Sequence, residues 1–116
     1  MGKMKLVVIE SPYSGNVEKN VAYARDAMKD SLHRGEAPLA SHLLYTQPGI
    51  LDDTILEERV LGITAGFTWN AHAELVAVYE NLGISNGMQW GIDKANQLGI
   101  PVEYRKLKDW VEHGSN

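Results

Sequence analysis

The sequence contains no cysteine, which excludes a disulfide framework, a thiolate zinc site and a cysteine nucleophile and leaves the redox compartment open. Long hydrophobic runs are also missing. The basic start MGKMKLVVIE offers only Leu6-Val7-Val8-Ile9 as a continuous apolar stretch, too short for a signal-peptide core or a membrane span. Gly2 is followed by Leu6 where a myristoylation signal has Ser or Thr. No membrane partner is expected, and the expected location is cytoplasmic. Basic charge is scarce: 11 Lys and Arg stand against 15 Asp and Glu, a formal net charge of -4. No general basic field draws the chain to a nucleic acid polymer or to anionic lipid, so a nucleotide ligand would need local arginines. The four histidines, His33, His42, His72 and His113, lack metal-ligand spacing, and neither a metal nor a cofactor is expected. Neither GxGxxG nor GxxxxGK[ST] occurs, which disfavours a dinucleotide dehydrogenase and a P-loop hydrolase.

What is present fits one domain. The 116 residues, 44% hydrophobic and 22% charged, have the composition of a chain that folds around its own core. The expected unit is a single domain over 1–116, with a core at about 5–106 and a tail at 107–116. The first apolar run reads as a strand. After the turn formers Ser11-Pro12-Tyr13-Ser14-Gly15-Asn16, the apolar positions Val17, Val21, Ala24, Met28 and Leu32 predict a helix over 17–34, with Asn16 as N-cap and Gly35 as stop. A short strand is expected at 37–40 and a long connection at 41–53. Thr54 and Glu57 have capping-box spacing, opening a helix to about residue 70 whose Ile55, Val60, Ile63 and Phe67 share a face. Gly62 and Gly66 cost this helix propensity, and close helix packing or a subunit contact is the expected compensation. Leu75-Val76-Ala77-Val78-Tyr79 reads as a central parallel strand, 87–98 as a helix closed by Gly99, 101–105 as a strand, and 107–113 as a short final helix.

Strands alternating with helices predict an α/β fold, a small Rossmann-like three-layer sandwich with a mainly parallel sheet. Ligands of such sheets bind beyond the carboxyl ends of the strands, here the segments 10–16, 41–47 and 80–89. Pro12, Tyr13, Ser14 and Gly15 stand directly before a helix N-terminus, where hydroxyls, an aromatic ring and free N–H groups suit a phosphate or a ribose. The alternative is an ordinary turn. Ser85, Gly87 and Met88 repeat the arrangement at a second helix start. Arg59 and Arg105 are the expected phosphate partners, against surface or ion-paired roles, and His42 is a candidate donor, against a structural histidine. Arg25 has the weaker claim, on the polar flank of the first helix.

These residues resemble the nucleoside 2-deoxyribosyltransferase-like superfamily: a strand, then Ser11-Pro12-Tyr13-Ser14-Gly15 with Asn20 in the helix, Glu58-Arg59, Ser85-x-Gly87-Met88, and Gly99-Ile100-Pro101-Val102. The resemblance spans residues 5 to 106 and adds Asn20 to the binding set. In its enzymes, the helix after the Ser-x-Gly turn carries a glutamate that attacks the anomeric carbon. Gly91 stands at that place, and glycosyl transfer through a covalent intermediate needs a carboxylate. Asp93 lies two residues on, about 200° around the helix.

Within the superfamily the chain is similar to the phage Thoeris anti-defence proteins of the first type, through NVAYARDAM at 20–28, APLASHLLYTQ at 37–47 and residues 85–92. That resemblance implies a non-enzymatic sponge for glycocyclic ADP-ribose, and for cyclic di- or trinucleotides at a second site with Arg25 and Gly91. It further implies a homo-oligomer, a dimer or a trimer of dimers, in the host bacterial cytosol. The alternative is a nucleoside 2-deoxyribosyltransferase or nucleotide N-glycosidase-like enzyme with Asp93 or Glu10 as nucleophile.

Overall fold

Val7, Val8 and Ile9 are all buried, as a strand covered on both faces requires. They form the centre of β1 (Lys5–Glu10). In the computed structural model, which describes residues 3–111, β1 lies inside a four-stranded, wholly parallel sheet of order β2-β1-β3-β4. The other strands are β2 (Glu36–Leu39), β3 (Leu75–Tyr79) and β4 (Val102–Arg105). All five residues of β3 are buried, as the apolar run predicts. The order reverses between β1 and β3, which opens a crevice at their carboxyl ends.

Helix α1 (Val17–His33) is capped as predicted, Asn16 Oδ1 accepting from Lys19 N at 3.2 Å. Gly35, at φ 82, turns the chain into β2. The buried stripe differs from the predicted one. It runs through Asn20, Tyr23, Ala24, Ala27 and Ser31, leaving Val17 and Leu32 exposed. Polar residues lie on this face because both have partners inside: Asn20 Nδ2 donates to Tyr13 O and Ser14 O, and Ser31 Oγ donates to Glu36. Tyr23 and Ala27 pack with Val7, Ile9, Ala77 and Tyr79 on one face of the sheet.

The expected connection at 41–53 contains a short helix, α2 (Ser41–Leu44). Helix α3 (Leu56–Asn70) begins without the predicted capping box: Thr54 donates to Asp52, Ile55 is the N-cap, and Glu58 accepts from Asp52 N at 2.8 Å. Ile55 and Val60 are exposed, so the predicted shared face of α3 is buried only in part. Its two glycines are explained within the chain. A Cβ on Gly66 would collide with Ser41 Oγ, and one on Gly62 would press on Leu51. The α2 segment and the loop after it lie where those side chains would be.

Helix α4 (Asn86–Leu98) starts on Ser85, whose Oγ accepts from Met88 N at 3.2 Å, and ends at Gly99 with φ 71. Met88, Ile92 and Ala95 pack with Val8, Val76 and Val78 on the second sheet face. The predicted helix at 107–113 is absent over 107–111, and its last two residues lie outside the described ones. Asp109 has φ 51, a left-handed conformation that interrupts a helix. Trp110 instead folds back edge-on to Tyr23 and donates to Asp26 at 2.8 Å.

Candidate functional site

Beyond the carboxyl ends of β1 and β3, on the side of the sheet where α4 packs and α3 lies beside it, is a cavity of about 320 Å³. This volume stands at the small end of the range for small-molecule sites. Four segments build it: the β1–α1 turn, α2 with the loop after it, α3, and the start of α4. Its walls are apolar and aromatic at Tyr45, Leu51, Ile63, Phe67 and Met88.

Seven of the sequence-predicted residues meet here: Tyr13, Ser14, His42, Arg59, Ser85, Gly87 and Met88. Arg59, in the first turn of α3, is the one arginine or lysine lining the cavity among the described residues. No carboxylate forms a salt bridge with it among those residues. Met88 contributes less than expected, because its N–H is taken by Ser85 and its sulfur accepts from Ser85 N. The His42 ring faces Ser11 Oγ at 2.7 Å, and burial pushes its pKa down to about 4, so the imidazole is neutral at pH 7.

Pro12, Gly15 and Asn20 do not line the cavity. Pro12 is buried in the turn, Gly15 takes φ 99 there, and Asn20 holds the turn through two carbonyls. Asn20 is therefore a positioning residue rather than a contact.

Arg105 corrects the sequence reading. Its side chain is 3% exposed and pairs bidentately with Glu36 at 2.8 and 2.7 Å, while also donating to Glu103 and to Tyr79 Oη. In register with Tyr79, it belongs to the sheet face under α1, away from the cavity. Burial beside three acceptors, not a strand-end position, decides its role. The Arg25–Gly91 pairing is likewise not formed within the chain, since Arg25 is exposed on α1 and Gly91 is buried on α4, behind opposite faces of the sheet.

Two lining residues carry more than the sequence suggested. A Cβ at Gly91 would overlap the Glu10 carboxyl, so the glycine makes room for the acid that ends β1. Burial raises the Glu10 pKa to about 8, keeping it mostly protonated at neutral pH. Asn70 closes α3 at 2% exposure, and its Nδ2 has no hydrogen-bond partner among the described residues. No motif signals Asn70; a polar residue at the foot of an apolar helix is the only hint. Asp93, by contrast, is exposed and accepts from Gln89, as its place on the helix predicts. Among the described residues no group of His, Asp or Glu is arranged to hold a metal ion, and no helix is long and apolar enough to cross a membrane.

A solved structure of the 2-deoxyribosyltransferase from the psychrotolerant bacterium Bacillus psychrosaccharolyticus superposes with a TM-score of 0.61, covering 91% of this chain and 75% of that one at 16% identity. The fold is thus that of the nucleoside deoxyribosyltransferases, as the sequence predicts. No curated protein matches the sequence. A family described as "Domain of unknown function (DUF7768)" matches residues 5–105.

Proposed function

We propose, from the premise that the chain belongs to the DUF7768 family, that it is a binding protein for a cyclic ADP-ribose-type nucleotide, holding this ligand without cleaving it. The observation that carries this reading is the Glu10–Gly91 pair. Glycosyl transfer needs an ionised carboxylate beside the anomeric carbon. At Gly91 the side chain is missing, and the neighbouring acid is held largely neutral. The site keeps what binding needs: a cation at Arg59, aromatic and aliphatic walls, and the start of α4.

The resemblance to the phage Thoeris anti-defence proteins makes glycocyclic ADP-ribose the ligand to test first and cyclic di- and trinucleotides the next. In this reading the protein works in the host bacterial cytosol as a homo-oligomer, a dimer or a trimer of dimers. Leu56, Val60, Leu61 and Trp69 on α3 supply exposed apolar surface for that assembly. A monomeric mass by light scattering at micromolar concentration contradicts the oligomer.

Arg59 sets the affinity. A hydrogen bond to a charged group contributes about 1.5–3 kcal/mol, so Arg59→Ala should weaken glycocyclic ADP-ribose binding roughly 10- to 150-fold in titration calorimetry. Wild-type affinity in that variant would remove the phosphate from this cavity. A second reading, an N-glycosidase with Glu10 as nucleophile, is favoured by the carboxyl's place in the cavity. It requires activity that rises with pH as Glu10 ionises.

A further inference from the structure

We propose that Glu10 and Asn70 are the specificity-determining pair of the cavity, donating hydrogen bonds to the lone pairs of an uncharged heterocycle seated at its buried end. The inference rests on the nucleotide-binding reading above and assigns the ligand's orientation within that site. Buried polar groups in folded proteins are nearly always hydrogen-bonded, because an unpaired one loses its hydration without a replacement. Asn70 lines this cavity, and its Nδ2 is buried with no hydrogen-bond partner among the described residues. Glu10 lines it too, its carboxyl lies against Gly91, and no residue among the described ones donates to that carboxyl or accepts from it.

The environment specifies what these groups select. In its acid form Glu10 offers one O–H donor and one carbonyl acceptor, and Asn70 offers N–H donors. Neither is a cation. Ile63 and Phe67 of α3 and Met88 of α4 supply apolar and aromatic wall. A flat ring bearing nitrogen or carbonyl lone pairs satisfies both donors, whereas a phosphate would be desolvated there without a countercharge. The charged end of the ligand is left to Arg59. Several titratable groups share the cavity with Glu10: Tyr13 from the β1–α1 turn, His42 from α2, Tyr45 and Asp53 from the following loop, and Glu58 and Arg59 from α3. Helix α4 presents none, lining the cavity with Asn86, Gly87 and Met88 and meeting the Glu10 carboxyl at Gly91. Burial alone accounts for the Glu10 shift.

The test is titration calorimetry with adenosine, an uncharged probe with ring nitrogens, and with ribose 5-phosphate, which has the charge but not the ring. Asn70→Leu should lose at least tenfold in adenosine affinity while melting at or above the wild-type temperature, since it removes an unpartnered buried amide. Ribose 5-phosphate should bind that variant as it binds wild type. From pH 7 to 9 wild type should lose about tenfold in adenosine affinity as the acid form of Glu10 is depleted. Glu10→Gln, a neutral isostere that keeps a donor, should bind at pH 7 and lose this dependence. The proposal is overturned if wild type does not bind adenosine, if Asn70→Leu binds it like wild type, or if wild-type affinity is flat with pH. Adenosine binding of the expected pattern without glycocyclic ADP-ribose binding would instead remove the sponge reading and leave this pair standing.

Discussion

Arg105→Ala is expected to destabilise the fold by about 3–5 kcal/mol in urea denaturation at pH 7, the range for removing one partner of a buried ion pair. The guanidinium, with 3% of its side chain exposed, holds Glu36 through two parallel hydrogen bonds and touches Tyr79 through both its hydroxyl and its ring. Glu36 keeps 13% exposure, so losing the arginine strands a carboxylate that few waters reach. The hydrogen bonds from Arg105 hold its pKa below the ordinary glutamate value. Glu103 is half exposed and adds little. Nucleotide affinity of the folded variant should stay within about twofold of wild type, since Arg105 is behind the sheet from the cavity. Near-normal stability together with lost binding would restore Arg105 as a phosphate contact.

The second large effect is a fall in stability as pH rises from 6.5 to 8, abolished by Glu10→Gln. The folded state holds the Glu10 proton to about pH 8, whereas an unfolded glutamate releases it near 4.5. Between those values the folded chain binds more protons, so stability decreases with rising pH by roughly 1.4 kcal/mol per pH unit. His42 acts in the opposite sense. Its folded pKa is about 4 against 6.5, so stability rises with pH across that window. The two slopes offset each other between about pH 4.5 and 6.5, and above 6.5 only the glutamate slope is left. Wild type should therefore lose roughly 2 kcal/mol between pH 6.5 and 8, measurable as a falling denaturation midpoint. Glu10→Gln should instead gain stability from pH 4.5 to 6.5, mainly through His42, and then level off. A wild-type profile that is flat above pH 6.5 would show that Glu10 ionises normally.

The elements that the sequence made legible are those with local signals. Val7 to Ile9 and Leu75 to Tyr79 are apolar without interruption because both sheet faces are covered. Asn16, Ser85 and Gly99 mark helix ends through contacts within a few residues. The two turns at 13–14 and 85–88 could be assigned to one cavity because parallel strands place their carboxyl ends together.

What was not legible depends on partners distant in the chain. Glu36 is 69 residues from Arg105, and nothing near Arg105 distinguishes a buried ion pair from a phosphate contact. The small-residue spacing of Gly62 and Gly66 shows that something approaches α3 closely. That the neighbours are Ser41 and Leu51 follows only from where α2 and its loop fold. The polar stripe of α1 escaped an apolar-periodicity reading because Asn20 and Ser31 are satisfied by the β1–α1 turn and by Glu36. Gly91 stands out in the sequence for the acid it lacks, yet its structural meaning lies in the Glu10 carboxyl that takes the space.

The central claim is that the Glu10–Gly91 cavity retains a cyclic ADP-ribose-type nucleotide and leaves it intact. Its most direct measurement is to incubate the purified protein with glycocyclic ADP-ribose, remove unbound material, denature the protein by heat and analyse the released solute by chromatography. The account predicts recovery of the unaltered cyclic nucleotide in stoichiometric amount, with recovery sharply reduced for Arg59→Ala. A released base or opened ring would contradict it in favour of an enzyme, and no retained nucleotide would contradict the binding claim itself.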